Sequence, residues 1–207
     1  MAKILITGAT GFVGRRLIRL LDIYPYQICI LSRNHHPEFE TFVCDFMKDK
    51  IPVSAFDGVD IVFHLAGFAH DMQDPGKVED LYYKVNVDTT VQLAKLAVKS
   101  GVKSFVFVSS VKAGGKSLNG QCMRESDQGV PEGVYGKSKR EAELKLLEIG
   151  QAPGMHVSII RPSLVYGPNV KGNLQLMLSG IEKGWFPPLP EVGNQRSMIH
   201  VDDLVQA

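Results

Sequence analysis

The sequence predicts an α/β protein with a doubly wound parallel sheet, and three observations lead to this fold class. Short apolar runs alternate with stretches of helical periodicity along most of the chain. The runs are almost continuously apolar, as in parallel strands that helices cover on both faces. A glycine-rich loop, Gly8-Ala9-Thr10-Gly11-Phe12-Val13-Gly14, follows the first run and opens the first helical stretch.

The individual elements follow from the apolar pattern and its breaks. Strands are predicted at residues 3–7, 27–31, 41–44, 60–65, 103–109 and 156–161. Helices are predicted at residues 12–22, 84–100 and 135–148. Gly101 is a typical residue at the end of a helix, and Pro162 ends the last strand. A stretch rich in proline and glycine at residues 184–193, with Pro187, Pro188 and Pro190, departs from the alternation.

Composition and charge narrow the class of protein. The 207 residues are 44% apolar and 22% charged, which is typical of a globular protein. The net charge of +1 gives no electrostatic reason to expect nucleic acid or a membrane as partner. The first strand follows Met1-Ala2-Lys3 directly, so we expect no signal peptide. Cys29, Cys44 and Cys122 lack paired or metal-ligand spacing, which favours the cytoplasm and no metal site.

The glycine-rich loop predicts a site for a pyrophosphate. Gly8 permits a tight turn, Gly11 lets the backbone approach phosphates, and Gly14 lets the helix pack close to the sheet. The N–H groups and the dipole at the start of the helix favour an anion. A plain turn is the alternative, but the strand–loop–helix context favours NAD or NADP. The candidate cofactor residues here are Gly8, Thr10, Gly11, Phe12, Val13 and Gly14.

The end of the second strand bears on the choice between NAD and NADP. An acid in this position usually binds the ribose 2′-hydroxyl of NAD. Here the strand ends in Leu31-Ser32-Arg33-Asn34, without an acid. Ser32 and Arg33 could bind a 2′-phosphate, whereas a solvated loop charge is the alternative for Arg33. The sequence therefore favours NADP as the cofactor.

Ser110, Tyr135 and Lys139 form a candidate catalytic group. Tyr135 and Lys139 are four residues apart in a predicted helix and therefore share one face. An ammonium near a phenol favours the phenolate and brings the tyrosine into the range of acid–base chemistry. Ser110 follows the fifth predicted strand and could bind the same substrate oxygen. An exposed helix face is the alternative interpretation of the Tyr-x-x-x-Lys spacing.

Together these motifs resemble the extended short-chain dehydrogenase/reductase family, in its sugar-nucleotide epimerase/dehydratase branch, over essentially the whole chain. The resemblance implies a Rossmann-type doubly wound sheet with part of a smaller C-terminal substrate lobe. It places a dinucleotide-binding domain at residues 1–168 and the start of a substrate-binding region at residues 169–207. Ser110, Tyr135 and Lys139 match the catalytic trio of the family.

The resemblance also implies roles for residues that the apolar pattern does not single out. Further cofactor contacts are implied at Asp45, Phe46, Leu65, Ala66, Gly67, Asn86, Val108, Pro162 and Ser163, in addition to Tyr135 and Lys139. Among them, Asp45 matches the acid that contacts the adenine, and Asn86 an asparagine that stabilises the active site. Substrate contacts are implied at Ser110, Lys112, Asn173 and Arg196, with Arg196 matching an arginine that binds the diphosphate.

Three departures from the family pattern bear on the reaction and on the substrate site. Ser110 is followed by Val111-Lys112-Ala113-Gly114-Gly115, without the acid that dehydratases carry there. Lys112 stands where epimerases often have a threonine, which weakens the match to a standard 4-epimerase. The chain also stops at Ala207, whereas family members continue, so we expect an incomplete substrate lobe.

These expectations combine into one functional hypothesis with alternatives. We expect an oxidoreductase acting at C4 of a nucleotide-linked sugar, with a UDP-sugar as the expected substrate, as a 4-epimerase or a 4-ketoreductase. A reductase of a hydrophobic ketone is one alternative, which a diphosphate-binding Arg196 argues against. A non-catalytic NAD(P) sensor is another, although such relatives typically lose the tyrosine or the lysine. The helices at residues 84–100 and 135–148 match those that form dimers in relatives, which implies a homodimer.

Overall fold

The computed structural model describes residues 1–69, 75–116, 123–151, 153–170, 172–185 and 196–207, with the backbone alone at 75–78. Cys122 and the predicted proline-rich loop with Pro187, Pro188 and Pro190 lie outside these ranges. The strands are β1 (Lys3–Thr7), β2 (Gln27–Ser32), β3 (Glu40–Val43), β4 (Ile61–His64), β5 (Ser104–Val108), β6 (His156–Ile160), β7 (Leu164–Tyr166) and β8 (Met198–His200). The α-helices are α1 (Phe12–Leu21), α2 (Pro75–Tyr83), α3 (Thr89–Lys99), α4 (Val111–Gly114), α5 (Gly133–Ile149), α6 (Asn173–Glu182) and α7 (Val201–Gln206).

Strands β1 to β6 form one sheet in the order β3-β2-β1-β4-β5-β6, and every neighbouring pair is parallel. This confirms the predicted fold class. The chain order reverses between β1 and β4, which is the position where ligands bind in such sheets. The carboxyl ends of these two strands carry the glycine-rich loop and the segment after His64, so the fold brings both to one edge.

The sheet is buried on both faces because its strands alternate their side chains between two apolar layers. Ile4 and Ile6 of β1 pack under α1 with Leu17 and Ile18. Leu5, the residue between them, packs on the opposite face in the larger cluster. That cluster also contains Phe105 and Phe107 of β5, Leu93 and Ala94 of α3, and Ala142 and Leu146 of α5. Burial on both sides explains why the strands have nearly continuous apolar sequences.

The helix predicted at residues 84–100 has a different form in the structure. It begins earlier, at Pro75, and a π-helical turn at Lys84–Asp88 separates α2 from α3. At the start of α3, the Thr89 hydroxyl donates back to the carbonyl oxygen of Lys84 in this turn at 3.1 Å. The Thr90 hydroxyl donates to the carbonyl oxygen of Asn86 at 2.7 Å. Such π-turns are often found at functional sites, and this one holds the candidate cofactor residue Asn86.

The C-terminal part of the described chain forms a small unit that the apolar pattern does not predict. Strands β7 and β8 pair in parallel, with Val165 opposite Ile199. Helix α7 follows β8 directly, and its Val205 packs against the apolar layer under α1. Arg16 of α1 lies 3.6 Å from the Asp202 carboxylate. Part of the predicted substrate-binding region therefore contacts α1 of the main sheet layer, and the boundary at residue 168 stays a prediction.

None of the helices in the described ranges is long and apolar enough to cross a membrane.

Candidate active site

The glycine-rich loop makes a close turn between β1 and α1 that excludes side chains. Gly8 has a φ of +73°, and its carbonyl oxygen accepts a hydrogen bond from the Gly11 N–H at 2.9 Å. A Cβ atom on Gly8 would lie 2.5 Å from the backbone nitrogen of Ala66. A Cβ atom on Gly14 would overlap the Gly8 carbonyl oxygen. The turn therefore needs glycine at both positions, as the sequence predicts.

The start of α1 has the features that an anion site needs. Gly11 is the N-terminal capping residue, and no side chain caps the first turn. The N–H groups of that turn therefore point toward the loop surface, where Thr10 and Gly11 are exposed and Phe12 and Val13 half-buried. The shape of the loop and these N–H groups fit a dinucleotide pyrophosphate.

The ends of β2 and β3 lie beside this loop at the same edge of the sheet. The Ser32 hydroxyl, half-buried, donates to the carbonyl oxygen of Asn34. Arg33 is exposed and has no ion pair within the described ranges. Asp45 accepts from the Met47 N–H at 3.0 Å, so its carboxylate closes its own turn, and Phe46 packs against the larger apolar cluster. All four candidate cofactor residues therefore lie at the carboxyl edge.

His64, at the end of β4, is fully buried and holds the segment that follows it. Its Nδ1 atom lies 2.6 Å from the Thr7 hydroxyl and its Nε2 atom 2.8 Å from the Thr90 hydroxyl. Burial lowers the pKa of His64 to about 3, with a further lowering by the charge of Lys139. The Ala66 N–H in turn donates to Thr7 Oγ1 at 3.2 Å. A neutral imidazole thus fixes the Leu65–Ala66 backbone above Gly8.

Asn86 connects this segment to α5. Its side-chain oxygen accepts from the Phe68 N–H at 2.7 Å, and its amide nitrogen donates to the Phe68 carbonyl at 3.0 Å. The same nitrogen donates to the buried Ser138 hydroxyl at 3.0 Å. A Cβ atom on Gly67 would lie 3.2 Å from the Asn86 side-chain oxygen and 3.1 Å from Lys139 Nζ. Sequence reasoning missed Ser138, whose position between Tyr135 and Lys139 was the available signal.

The candidate catalytic residues Ser110, Tyr135 and Lys139 are brought together by α4 and α5. Ser110 follows β5 and caps α4 by accepting from the Lys112 N–H at 3.3 Å. Its side chain is hydrogen-bonded to that of Tyr135 in the first turn of α5. Lys139 is one turn further, where its Nζ donates to the Val108 carbonyl oxygen at 2.9 Å and lies 4.5 Å from the centre of the Phe107 ring.

A glycine that the sequence analysis did not single out allows this approach. A Cβ atom on Gly136 would lie 2.5 Å from the Lys112 carbonyl oxygen, so α5 packs directly on the backbone of α4. The Glu132 N–H donates to the same oxygen at 2.9 Å. These contacts place the first turn of α5 against Ser110. The signal in the sequence was the glycine next to Tyr135.

The pKa of Tyr135 is shifted in the direction opposite to the one expected from its neighbouring lysine. Burial raises it, the hydrogen bond with Ser110 lowers it, and Tyr82 raises it slightly. The ammonium of Lys139 is directed at Val108 instead of the phenol, which explains why it contributes no lowering here. Burial also lowers the pKa of Lys139 to about 8, against an opposing effect of Glu143.

The candidate substrate residues are less closely assembled. Lys112 is exposed next to Ser110, and the Pro162 carbonyl accepts from the Val111 N–H at 3.1 Å, which places residues 162–163 beside α4. Asn173 and Arg196 are exposed, and no hydrogen bond or ion pair found in the described part of the chain joins either one to Ser110 or Tyr135. That part of the chain also contains no cluster of three side chains suited to a metal ion.

Comparisons with known proteins agree with this geometry. The chain is 36% identical over 210 residues to UDP-glucose 4-epimerase of Vibrio cholerae, covering 98% of this chain and 64% of that protein. It is 34% identical over 208 residues to N-acetyl-alpha-D-glucosaminyl-diphospho-ditrans,octacis-undecaprenol 4-epimerase of Escherichia coli O157:H7, covering 99% of this chain and 61% of that protein. This chain therefore spans less than two thirds of either relative.

A solved structure and a family model complete the comparison. The structure of MoeE5 in complex with UDP-glucose and NAD superposes with a TM-score of 0.86 at 25% identity, over 99% of this chain and 70% of that one. The model of the NAD dependent epimerase/dehydratase family matches residues 4–207. These findings confirm the resemblance seen in the sequence, and the chain belongs to the NAD dependent epimerase/dehydratase family.

Proposed function

We propose that this chain carries the nucleotide-binding and catalytic part of an extended short-chain NAD(P)-dependent oxidoreductase that epimerises a UDP-linked sugar at C4. The observation that carries the proposal is the assembly of Ser110, Tyr135 and Lys139 next to the glycine-rich loop. The two 4-epimerases among the relatives support epimerisation over a 4-ketoreductase.

The cofactor is held, in this proposal, along the carboxyl edge of the sheet. The first turn of α1 binds the pyrophosphate, because its N–H groups lack a side-chain cap. Gly67 leaves room beside Lys139 Nζ and Asn86, where a ribose and nicotinamide would lie. The nicotinamide ring supplies a site that accepts a hydride and returns it. NAD in the MoeE5 complex supports a dinucleotide of this kind.

The choice between NAD and NADP rests on different observations. The absence of an acid at the end of β2 and the exposed Arg33 support NADP, because a guanidinium can bind a 2′-phosphate. The MoeE5 complex contains NAD and supports the alternative. We retain NADP as the proposal and NAD as its competitor.

Proton transfer is the role of Tyr135. Its raised pKa keeps the phenol protonated at neutral pH, so it is ready to donate a proton to a C4 carbonyl oxygen. In the opposite direction it must accept the proton of the C4 hydroxyl, and the Ser110 hydrogen bond favours the required phenolate. Ser110 also lies where it can orient the same oxygen. The ammonium of Lys139 supplies positive charge close to both groups.

Substrate contacts and assembly are part of the same proposal. Lys112 lies beside Ser110 and is the candidate contact to the sugar. Arg196 and Asn173 are proposed contacts to the rest of the nucleotide sugar, with Arg196 on the diphosphate. Leu144 and Leu147 on α5 are 50% and 51% exposed, which supports a homodimer in which α5 packs against a second copy.

The test uses UDP-glucose and UDP-N-acetylglucosamine, with product formation followed by proton NMR in the presence of NAD or NADP. Conversion to the C4 epimer without net cofactor consumption supports the epimerase. Stoichiometric NADPH oxidation with a UDP-4-keto sugar, without epimerisation, indicates the ketoreductase.

Tyr135→Phe is expected to abolish turnover while dinucleotide binding persists. Tyr24→Phe, which removes a hydroxyl from an exposed loop, is the matched control. Cofactor binding by a wild type without turnover of either substrate class contradicts the proposal.

A further inference from the structure

A buried carboxylate lies one helical turn beyond Lys139. Glu143 is 1% exposed, and Tyr135, Lys139 and Glu143 follow one another at four-residue intervals on one face of α5. Arg161, directly after β6, donates from Nε to Glu143 Oε1 at 2.9 Å and from Nη2 to Oε2. Arg140 Nη1 lies 3.6 Å from the same carboxylate. The carboxylate is thus held in one position by a bidentate partner.

The partner arginine is itself fixed by the walls of the candidate site. A Cβ atom on Gly114 of α4 would lie 3.3 Å from Arg161 Nη1. Arg161 Nη2 also lies 3.4 Å from the Gln128 side-chain oxygen. Replacing a buried ion pair with apolar residues of similar size is often neutral or stabilising. Fold stability alone therefore gives little reason to keep a glutamate at this position.

We propose that Glu143, held by Arg161, is a positioning residue that keeps the buried amine of Lys139 in its ammonium form. A fixed anion on the same helix face favours a positive charge at Lys139. The ammonium donates to the Val108 carbonyl oxygen and places a positive charge inside the candidate active site. The role of Lys139 in catalysis rests on the proposed function above. The protonation state of Lys139 can be measured whether or not that function is correct.

The protonation of Lys139 supports this inference. Burial lowers its pKa to about 8, and Glu143 is the charged group that opposes the lowering. His64 faces the same site from β4 but is neutral, since burial lowers its pKa to about 3. The other titratable or charged groups with described side chains on the packed elements are Glu79, Asp80, Tyr82 and Tyr83 of α2, Lys84 and Asp88 of the π-turn, Lys95 and Lys99 of α3, Lys112 of α4, Tyr135, Lys137, Arg140, Glu141, Lys145 and Glu148 of α5, and His156 and Arg161 of β6 and its end.

The experiment titrates Lys139 directly. The full chain is labelled with 13C at the lysine Cε, the Lys139 signal is assigned with Lys139→Arg, and its midpoint is followed by NMR from pH 6 to 11. Glu143→Gln is expected to lower the midpoint by about one pH unit, a tenfold weaker proton affinity. Glu141→Gln, which removes the same charge from the exposed side of α5, is the matched control and is expected to leave the midpoint unchanged.

A second variant keeps the test decisive if Glu143→Gln does not fold. The double variant Glu143→Met with Arg161→Met replaces the ion pair with apolar side chains and is expected to fold. Because it also removes the positive charge of Arg161, it should lower the Lys139 midpoint in the same direction but by less than Glu143→Gln, and NADH affinity at pH 8 should fall with it. An unchanged Lys139 midpoint in whichever variant folds overturns the proposal and leaves Glu143 a structural residue. Because no substrate is added, a wild type that proves inactive as an epimerase does not affect this result.

Discussion

The Nε2 atom of His64 lies 2.8 Å from the hydroxyl oxygen of Thr90, and this contact joins β4 to the first turn of α3, directly after the π-helical turn. Thr90 gives its own proton to the Asn86 carbonyl, so His64 must be the donor in the pair. The Nδ1 atom is then the acceptor for the Thr7 hydroxyl. This assignment gives one neutral tautomer and connects β1, β4 and α3, which lie next to the candidate cofactor residues Gly8, Leu65 and Asn86.

The buried imidazole predicts a loss of stability in acid. Its pKa is about 3 in the folded state, against 6.5 as the ordinary value. Below pH 6.5 the unfolded chain binds a proton that the folded chain excludes, so the free energy of unfolding falls as pH decreases toward 3. The slope for one such group approaches about 1.4 kcal/mol per pH unit.

Urea unfolding between pH 7 and 5 measures this slope. His64→Gln retains a donor for Thr90 but does not titrate, so we expect a flatter pH dependence at some cost in stability at pH 7. His156→Gln changes an exposed histidine at the start of β6 and should keep the wild-type slope. An identical slope in wild type and His64→Gln would show that His64 is not the titrating group.

Two glycines with the same left-handed φ allow the cost of a steric clash at Gly8 to be measured separately from the cost of backbone strain. Gly8 and Gly101 have φ angles of +73° and +75°, but only the Cβ of an alanine at Gly8 would meet a neighbour within 4 Å. Gly101→Ala should cost about 1 kcal/mol of unfolding free energy from the left-handed conformation alone. Gly8→Ala should cost clearly more and should also abolish NADH binding, as measured by denaturation and nicotinamide fluorescence. Equal costs for the two variants would argue against the contact with Ala66.

Much of the fold was predictable because local sequence and tertiary environment agree. Each of the six strands of the main sheet lies within one residue of its predicted limits. A strand that is buried on both faces has a nearly continuous apolar sequence, so it can be identified without knowing which strands pair with it. Strands β7 and β8 escaped prediction because each has three residues and its partner is distant in sequence. The π-turn escaped because its side-chain periodicity differs little from that of an α-helix over five residues.

The sequence predicted that Ser110, Tyr135 and Lys139 meet near the glycine-rich loop, but it did not predict the electrostatics of this group. The four-residue spacing of Tyr135 and Lys139 predicted that they share one face of a helix. The residues after the strands predicted that the site lies at the carboxyl edge of the sheet. The raised pKa of Tyr135 depends on burial, and the direction of the Lys139 ammonium depends on the carbonyl of Val108. Glu143 lies among charged residues of α5 that suggest a solvated face, and only its pairing with Arg161 reveals a buried charge.

The hydrogen bond between Ser110 and Tyr135 predicts a pH effect on turnover. Because this bond lowers the pKa of the phenol, Ser110→Ala should raise it further. The alkaline shift should appear in the pH profile of kcat for the direction in which Tyr135 accepts a proton, together with a loss of about 10²-fold in rate. Ser100→Ala, at the distant end of α3, serves as the control. A rate loss without a shift of the profile would limit Ser110 to orienting the substrate.

Arg33 provides the test of cofactor choice. If its guanidinium binds a 2′-phosphate, Arg33→Ala should weaken NADPH binding about tenfold, a loss of about 1.4 kcal/mol, and leave NADH binding unchanged. Lys99→Ala removes an exposed positive charge from the end of α3 and should change neither affinity. Fluorescence titration with both nucleotides gives the comparison. Tight NADH binding by wild type with no effect of Arg33→Ala would assign the cofactor as NAD.

Because the amine of Lys139 is buried, we predict that this candidate catalytic residue lowers the free energy of unfolding at neutral pH. Its pKa is about 8 in the folded state, against 10.5 as the ordinary value. Between these values the unfolded chain binds more protons, so wild-type stability rises with pH, and below pH 8 the burial of the charge costs about 3 kcal/mol. Lys139→Met retains the length of the side chain without the charge. It should therefore be more stable than wild type at pH 7, by about 2 kcal/mol after the loss of the Val108 hydrogen bond.

This advantage should decline as pH rises from 8 toward 10.5, because deprotonating the buried amine costs less free energy as pH approaches its ordinary pKa of 10.5. Guanidinium unfolding at pH 7 and pH 10 provides the comparison, with Lys145→Met as control for the loss of a half-buried surface lysine that pairs with Glu141 at 2.8 Å. Turnover should be absent in Lys139→Met at both pH values. A variant less stable than wild type at pH 7 would mean that the contacts with Val108 and Phe107 outweigh the burial of the charge, and that the lysine stabilises this part of the fold.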